Sequence, residues 1–216
     1  MSSIEERCEM IHKAFWSLKR FSYPFDKNDI PLNGIYVFFE KGEFSHGCDR
    51  IVRVGTHTGN DQLRSRLIQH LVNENKDRSI LRKNIGRALL SRENNIKMLK
   101  MWDKDMTPKR ARENSGNYDV PKIKKIEEKV SSYMRSNLSF AVIKVEGSSK
   151  YRTNLESKLI STISRCNKCE PSTNWLGKFS TKPKIVESGL WLVNELYKEP
   201  FSDSELEEFL KEHFHK

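Results

Sequence analysis

The chain has 216 residues, enough to bury one hydrophobic core and to carry additions to it. Hydrophobic residues make up 36% of the sequence, the mean hydropathy is −0.71 and no apolar run is long enough to span a bilayer, so we expect a soluble protein without a membrane partner. The 39 Lys and Arg outnumber the 29 Asp and Glu, and the formal net charge of +10 favours a polyanionic partner, with nucleic acid as the first candidate.

The excess of positive charge is concentrated in one region. Residues 78–137 contain 16 basic and 7 acidic residues, a net charge of +9. Spread-out Lys and Arg with interleaved aromatic residues suit contacts to a phosphate backbone more than the reading of bases. The alternative interpretation is a solvated helical segment that has no partner.

The four cysteines, Cys8, Cys48, Cys166 and Cys169, are irregularly spaced, and no signal peptide is evident before them. A disulfide framework is therefore not expected, and a reducing cytoplasm fits best. Cys166 and Cys169 form a CxxC pair, but structural zinc normally needs a second ligand pair at comparable spacing, and none is evident. The sequence therefore predicts no zinc site.

The predicted elements start with an amphipathic helix over residues 4–21, where apolar side chains recur near helical spacing. Residues 34–40 (GIYVFFE) and 50–56 (RIVRVGT) are rich in β-branched and aromatic side chains, which predicts an antiparallel hairpin with a turn-like stretch over residues 41–49. The remaining predicted elements are a third strand over residues 139–146 and helices over residues 62–74, 80–90, 122–134, 152–164, 189–197 and 203–214. Residues 96–102 either extend the helix over residues 80–90 or start a new one.

Few large apolar residues occur over residues 103–121, which we interpret as an exposed loop. The elements together predict an α/β domain of the α+β kind, with a small, mainly antiparallel three-stranded sheet flanked by helices. We expect a single domain over residues 1–216, made of a core and three additions. These are an N-terminal helical extension over residues 1–32, a basic helical insertion over residues 78–137 and a C-terminal helical extension over residues 177–216.

Two polar side chains share one face of the predicted helix over residues 62–74. Arg66 and His70 are four residues apart and therefore lie on the same side of a helix. The adjoining apolar stripe would pack on the sheet and leave both side chains at the edge of that packing, where a cleft forms. The alternative is a solvated helix face.

Two short strand motifs precede this helix. Residues 34–36 read GIY, and residues 53–55 read RVG at the end of the second predicted strand. Arg66 and His70 follow on the next helix, and Glu156 lies early in the helix after the third strand. In this order the elements resemble the GIY-YIG nuclease family, whose helix carries an arginine and often a histidine and whose metal-binding glutamate Glu156 matches.

The resemblance covers about residues 33–90 and 138–176 and is interrupted by the basic insertion. Its clear departure is Arg53, which stands in place of the tyrosine of the second motif and puts the role of that tyrosine in doubt. The resemblance implies a metal-dependent endonuclease that hydrolyses phosphodiester bonds of DNA.

Such a reaction by in-line attack of water needs a base, a charge clamp and a metal. Tyr36 is one candidate base if nearby cations such as Arg53 activate it, and His70, with an ordinary pKa of about 6.5, is the other. Arg66 offers a planar charged fork for phosphate oxygens. Glu156 offers a hard oxygen ligand for one Mg²⁺ or Mn²⁺ ion.

Further candidates are weaker. Asn174 follows the glutamate helix where the family often places a helper asparagine, although it also suits an ordinary Asx turn. His57 lies where a group near the phosphate is expected, and is equally compatible with a turn residue. In the basic insertion, Lys109, Arg110 and Arg112 are the candidates for contacts to DNA.

The rival interpretation is a catalytically inactive nucleic-acid-binding protein on the same fold. Arg53 in place of a tyrosine favours it, whereas intact Tyr36, Arg66 and Glu156 favour the nuclease. As a chain without evident further domains, the protein resembles a restriction or defence nuclease more than a repair subunit.

Overall fold

The structure is a computed structural model that describes residues 2–107 and 119–214. Its strands are β1 (Phe21–Ser22), β2 (Gly34–Ser45), β3 (Cys48–Gly55) and β4 (Leu138–Lys144). Its helices are α1 (Ile4–Trp16), α2 (Leu63–Leu71), α3 (Ile80–Arg92), α4 (Ile96–Asp103), α5 (Val120–Asn137), α6 (Ser149–Ser164), α7 (Pro183–Ser188) and α8 (Asp203–Phe214). None of these helices has the length and apolar character needed to cross a membrane.

The strands form one antiparallel sheet in the order β1-β4-β2-β3, which confirms the predicted α+β fold class. The sheet has four strands rather than the predicted three. The additional strand, β1, pairs Phe21 with Phe140 of β4. Two residues are too short to show an alternation of apolar and polar side chains, and this is why the sequence did not reveal β1.

The turn predicted over residues 41–49 is mostly strand in the structure. β2 continues to Ser45 and β3 begins at Cys48, so only His46 and Gly47 form the turn, with φ angles of 52° and 76°. Such left-handed values suit a two-residue hairpin turn. Irregular register within β2 accompanies the longer hairpin.

The helix predicted over residues 189–197 is absent, and this prediction was wrong. A helix instead precedes that stretch, α7, and Gly189 ends it in the left-handed conformation with φ 67°. Glycine adopts this conformation without a steric penalty, so it commonly terminates helices. Gly189 therefore ends α7, whereas the sequence pattern predicted that a helix begins there.

Alternate side chains of β2 point to opposite faces of the sheet. Tyr36 and Phe38 belong to a core that α2, α3 and α5 cover, and we call this side the α2 face. Ile35, Val37 and Phe39 belong to a core that α1, α6 and α8 cover, and we call this side the α1 face. The sheet is therefore the middle layer of the domain.

The helices of the predicted insertion are packed into the α2 face. Leu81 of α3 and Val130 of α5 are part of that core. The fully buried Arg82 guanidinium lies 2.8 Å from a carboxylate oxygen of Glu127 and donates to the His70 carbonyl at 3.1 Å. Some of the positive charge of this region therefore holds helices together and is not available to a partner.

Candidate active site

Tyr36 and His70 form a hydrogen-bonded pair inside the α2 face. The Tyr36 hydroxyl lies 2.8 Å from His70 Nε2, and both residues are fully buried. His70 Nδ1 lies 2.6 Å from Oγ of Ser79, which also caps α3 by accepting from the Arg82 backbone N–H. The sequence analysis expected His70 at the edge of the helix packing, but α2 turns this ring into the core, towards Tyr36.

At two positions of the strand motifs only glycine fits, because neighbouring atoms lie too close for a side chain. Gly55 lies opposite Tyr36 in the β2–β3 pair, and a Cβ there would lie 2.2 Å from the Tyr36 hydroxyl oxygen. At Gly34 a Cβ would lie 2.1 Å from the carbonyl oxygen of Ile143 in β4. Neither position has room for a side chain, so both glycines let neighbouring groups sit where the site needs them.

His70 is held neutral by its surroundings. Burial, followed by the charges of Arg53, Arg66 and Arg82, holds the pKa of His70 well below its usual value. A neutral imidazole has one donor nitrogen and one acceptor nitrogen. We assign the donor to Nδ1, towards Ser79, which leaves Nε2 to accept the Tyr36 hydroxyl.

Glu156 reaches the same region from α6, on the opposite face of the sheet. Its Oε1 accepts from the Thr56 backbone N–H at 3.0 Å, just beyond the end of β3. Among the described residues its other carboxylate oxygen has no hydrogen-bond partner. Burial raises the pKa of Glu156, opposed by the positive charge of Arg53 and the hydrogen bond from Thr56. A cation at the free oxygen would keep this carboxyl ionised.

Two arginines connect the buried pair with Glu156. Arg53 donates from Nη1 to the Trp191 carbonyl at 2.5 Å, and its Nε has no hydrogen-bond partner among the described residues. Arg66 is half-buried and makes two contacts of 3.3 Å through Nη1. The charges of both arginines act on His70 as well as on Glu156. Arg53, Arg66, His70 and Glu156 are therefore electrostatically coupled.

Arg66 and Glu156 line a groove at the β3 edge of the sheet. Two cavities of about 690 and 310 Å³ open there, and Arg66, Thr153 and Glu156 line both of them. Arg53 lines the larger cavity and Thr56 the smaller one. Since α2 and α6 cover opposite faces of the sheet, their side chains meet where the sheet ends.

The structure does not bring Asn174 to this groove, because Asn174 is exposed and lines neither cavity. His57 lines the smaller cavity, but both of its ring nitrogens have backbone partners. Nδ1 lies 2.7 Å from the Gly59 carbonyl and Nε2 accepts from the Gly34 N–H at 3.3 Å. The predicted catalytic role of Asn174 and the predicted contact of His57 with nucleic acid stay predictions.

The predicted DNA-contacting run of Lys109, Arg110 and Arg112 lies outside the described residues. Its role therefore stays a prediction too.

The sequence analysis missed several polar residues that line the larger cavity, among them Asn84 on α3 and Lys150 and Asn154 on α6. Asn84 is almost fully buried, and its Oδ1 accepts from Arg87 Nη1 at 2.7 Å. Asn84 gave no signal in the sequence, because it lies among charged residues of its helix. Lys150 and Asn154 gave no signal either, because exposed polar residues are common on helices.

A model of the GIY-YIG domain family matches residues 8–215, nearly the whole chain. The chain therefore belongs to the GIY-YIG domain family, whose members are nucleases. The match extends beyond residues 33–90 and 138–176, which carried the resemblance, and includes most of α1, the helices of the insertion and α8. No curated protein and no solved structure matches the chain.

Proposed function

We propose that this protein is a metal-dependent endonuclease that hydrolyses phosphodiester bonds of DNA at the groove between α2 and α6. The observation that carries the proposal is the meeting of Arg66 and Glu156 in one groove, beside the Tyr36–His70 hydrogen bond of 2.8 Å. A cation-binding carboxylate, a phosphate-binding guanidinium and a phenol in contact with an imidazole are groups suited to this chemistry.

Glu156 is the residue that would hold the divalent ion. Its donor atom is a hard carboxylate oxygen, one of its oxygens is fixed by Thr56, and burial raises its pKa in a way that a dication would reverse. A single Mg²⁺ or Mn²⁺ ion fits one protein carboxylate, because such ions retain several waters. When bound, the ion neutralises phosphate charge and favours the ionised form of the attacking water.

Tyr36 is the better candidate for the base, with His70 as its positioning residue. An imidazole whose pKa is well below the usual value is a poor proton acceptor, so His70 does not hold the proton that the reaction releases. Tyr36 would accept that proton as the phenolate, after its own proton has gone to solvent. The other tautomer of His70, with the proton on Nε2, would then donate to the phenolate oxygen while Nδ1 accepts from the Ser79 hydroxyl. Since Tyr36 is fully buried, the proposal requires that DNA binding opens a path from the groove to the hydroxyl.

Arg66 and Arg53 supply positive charge. Arg66 faces the groove with its guanidinium held only by long contacts, which leaves it able to turn towards a phosphate oxygen. Arg53 is anchored on the Trp191 carbonyl and stands where the family's second motif has a tyrosine. Arg53 would therefore stabilise negative charge without acting as a proton acceptor.

DNA is the proposed substrate because the net charge is +10 and the groove contains exposed Lys150 and half-buried Arg66. A role in restriction or defence and a cytoplasmic location are part of the proposal. The four cysteines are free, which suits a reducing compartment.

The test is incubation of the purified protein with supercoiled plasmid, with Mg²⁺ or Mn²⁺ added or omitted. We expect nicked and linear products only with the metal. The second candidate function, a nucleic-acid-binding protein without catalysis, is favoured by Arg53 and by the burial of Tyr36. Retarded migration of the plasmid without nicking under every metal condition would establish that function in place of the nuclease.

A further inference from the structure

On the α1 face, three cysteines and a histidine converge from three separate parts of the chain. Cys8 lies in α1, His46 in the β2–β3 turn, and Cys166 and Cys169 just after α6. Cys8 Sγ lies 3.4 Å from Cys169 Sγ, and His46 Nε2 lies 3.4 Å from both Cys166 Sγ and Cys169 Sγ. His46 Nε2 and Cys169 Sγ thus each lie 3.4 Å from two other ligand atoms of this group.

These separations are those of a tetrahedral metal site. Ligands at about 2.0 to 2.3 Å from a central Zn²⁺ ion stand roughly 3.4 to 3.8 Å from each other. Thiols that merely pack in a core have no reason to approach each other and an imidazole nitrogen this closely. A disulfide is not present, since all four cysteines of the chain are free.

The surroundings favour a cation. Cys8 is fully buried, Cys166 and Cys169 are buried, and the His46 side chain is only 1% exposed. A dication at the centre of such a cluster ionises the coordinating thiols.

The local backbone conformation also orients the side chains of His46 and of the CxxC segment towards the cluster. His46 occupies a left-handed turn position where asparagine is the more usual residue, and its Nδ1 lies 4.0 Å from a Glu9 carboxylate oxygen. A carboxylate behind a ligating histidine orients the ring so that the opposite nitrogen faces the metal. In the CxxC segment, the Cys169 N–H donates to the Cys166 carbonyl at 3.3 Å.

His12 lies beside this cluster but does not complete it. Its Nδ1 lies 3.0 Å from the Cys8 carbonyl, and its Nε2 accepts from the Ile51 backbone N–H at 3.1 Å. Both ring nitrogens are therefore occupied, whereas His46 directs Nε2 at two sulfurs. Although the ligand atoms of Cys8, His12, His46 and Cys169 lie within 4.8 Å of one another, Cys166 is the better fourth ligand.

We propose that Cys8, His46, Cys166 and Cys169 bind one structural Zn²⁺ ion. With four protein ligands the ion has no open position, so its role is to hold α1, the tip of the hairpin and the end of α6 together. The sequence showed only the CxxC half of this site. The other half comes from two residues that lie far from it and from each other in the chain.

Metal analysis of the full chain, purified without chelators, tests this proposal. We expect about one zinc per chain in the wild type and in Cys48→Ser, the matched control, because the Cys48 thiol is equally buried but contacts the Ser45 carbonyl. Cys166→Ser and His46→Ala should lose the stoichiometric zinc, and His12→Gln should keep it. Zinc retained in His46→Ala but lost in His12→Gln would overturn the ligand assignment.

A ligand variant that does not fold would also contain no zinc, so the wild type itself provides the second measurement. X-ray absorption at the zinc edge should show three sulfur atoms at about 2.3 Å and one nitrogen at about 2.0 Å. A shell of oxygen and nitrogen only, or wild-type protein that holds no zinc after growth with added zinc, would overturn the site. Neither measurement uses DNA, so neither depends on the proposed nuclease function.

Discussion

The two faces of the sheet differ in how their buried polar side chains are arranged. On the α2 face, Tyr36 and His70 satisfy each other through a hydrogen bond within a packed core. On the α1 face, the Cys8 and Cys169 thiols lie 3.4 Å apart, beside the His46 imidazole. We infer that the α2 face holds the proposed base and that the α1 face holds a metal clamp.

One helix belongs to both arrangements. Glu156 projects from α6 into the groove, and the same helix ends at Ser164, two residues before Cys166. A clamp at the end of α6 therefore fixes the element that positions the proposed catalytic carboxylate. The comparison predicts that substitutions on the groove side change the rate and leave the zinc content unchanged.

The largest effect is expected for Glu156→Ala. Loss of the metal-binding oxygen removes several kcal/mol of transition-state stabilisation, so single-turnover cleavage should fall by about 10³-fold or more. DNA affinity, measured by gel retardation, and zinc content should be unchanged. Glu195→Gln is the matched control, because Glu195 lines the same groove but is held by Ser157 and Lys198. Equal losses in both variants would contradict the assignment of Glu156.

Next in size is Tyr36→Phe, for which we expect a fall of at least about 100-fold in the single-turnover rate. The ring still packs beside Gly55, so the protein should fold with a modestly lower melting temperature. Tyr133→Phe controls for the loss of a buried hydroxyl, because Tyr133 donates to Glu40, away from the groove. A near-normal rate for Tyr36→Phe would remove this hydroxyl from the mechanism.

A smaller effect, about 10- to 100-fold, is expected for Arg66→Lys. The substitution keeps the charge but removes the planar fork that suits phosphate oxygens. Arg64→Lys is the control on the same helix, since Arg64 donates to the Ile30 carbonyl and does not line the groove. If both variants lose the same rate, Arg66 acts through the stability of α2 and not through the substrate.

The smallest effect concerns pH and stability. The pKa of folded His70 is well below 6.5, so below about pH 6.5 the unfolded chain binds a proton that the folded chain does not. The stability contributed by neutral His70 is therefore present above this pH and is lost as the pH falls towards the folded pKa. Between about pH 7 and 5 the melting temperature of His70→Gln should fall less than that of the wild type. Equal slopes in thermal melts would contradict a buried neutral imidazole.

The two faces also differ in how much of each could be predicted from the sequence. Tyr36, Arg66 and Glu156 were predicted because each lies at a recognisable place in an ordered series of strands and helices. The burial of His70 was not predicted, since helical periodicity places it beside Arg66 without saying how far the helix rolls towards the sheet. How deeply His70 is buried depends on how α2 packs on β2, which the sequence pattern does not show.

The Cys/His cluster could not be predicted for a different reason. Its ligands come from α1, a hairpin turn and the segment after α6, and only Cys166 and Cys169 are close in sequence. Short sequence spacing identifies ligand pairs such as CxxC. Cys8 and His46 are single residues, and only the packing of α1 on the sheet brings them together. The extension of the hairpin to His46 was itself missed, because its strands were predicted to end earlier.

The central claim, that the groove cleaves DNA with one divalent ion held by Glu156, is tested most directly by single-turnover cleavage across a magnesium titration. The protein should be zinc-loaded and the DNA saturating, so that only the groove ion varies. We expect a rate that rises and saturates with single-site dependence on Mg²⁺ while the zinc content stays constant, with no such rise for Glu156→Ala. A rate independent of Mg²⁺, or the same titration curve for Glu156→Ala, would contradict it.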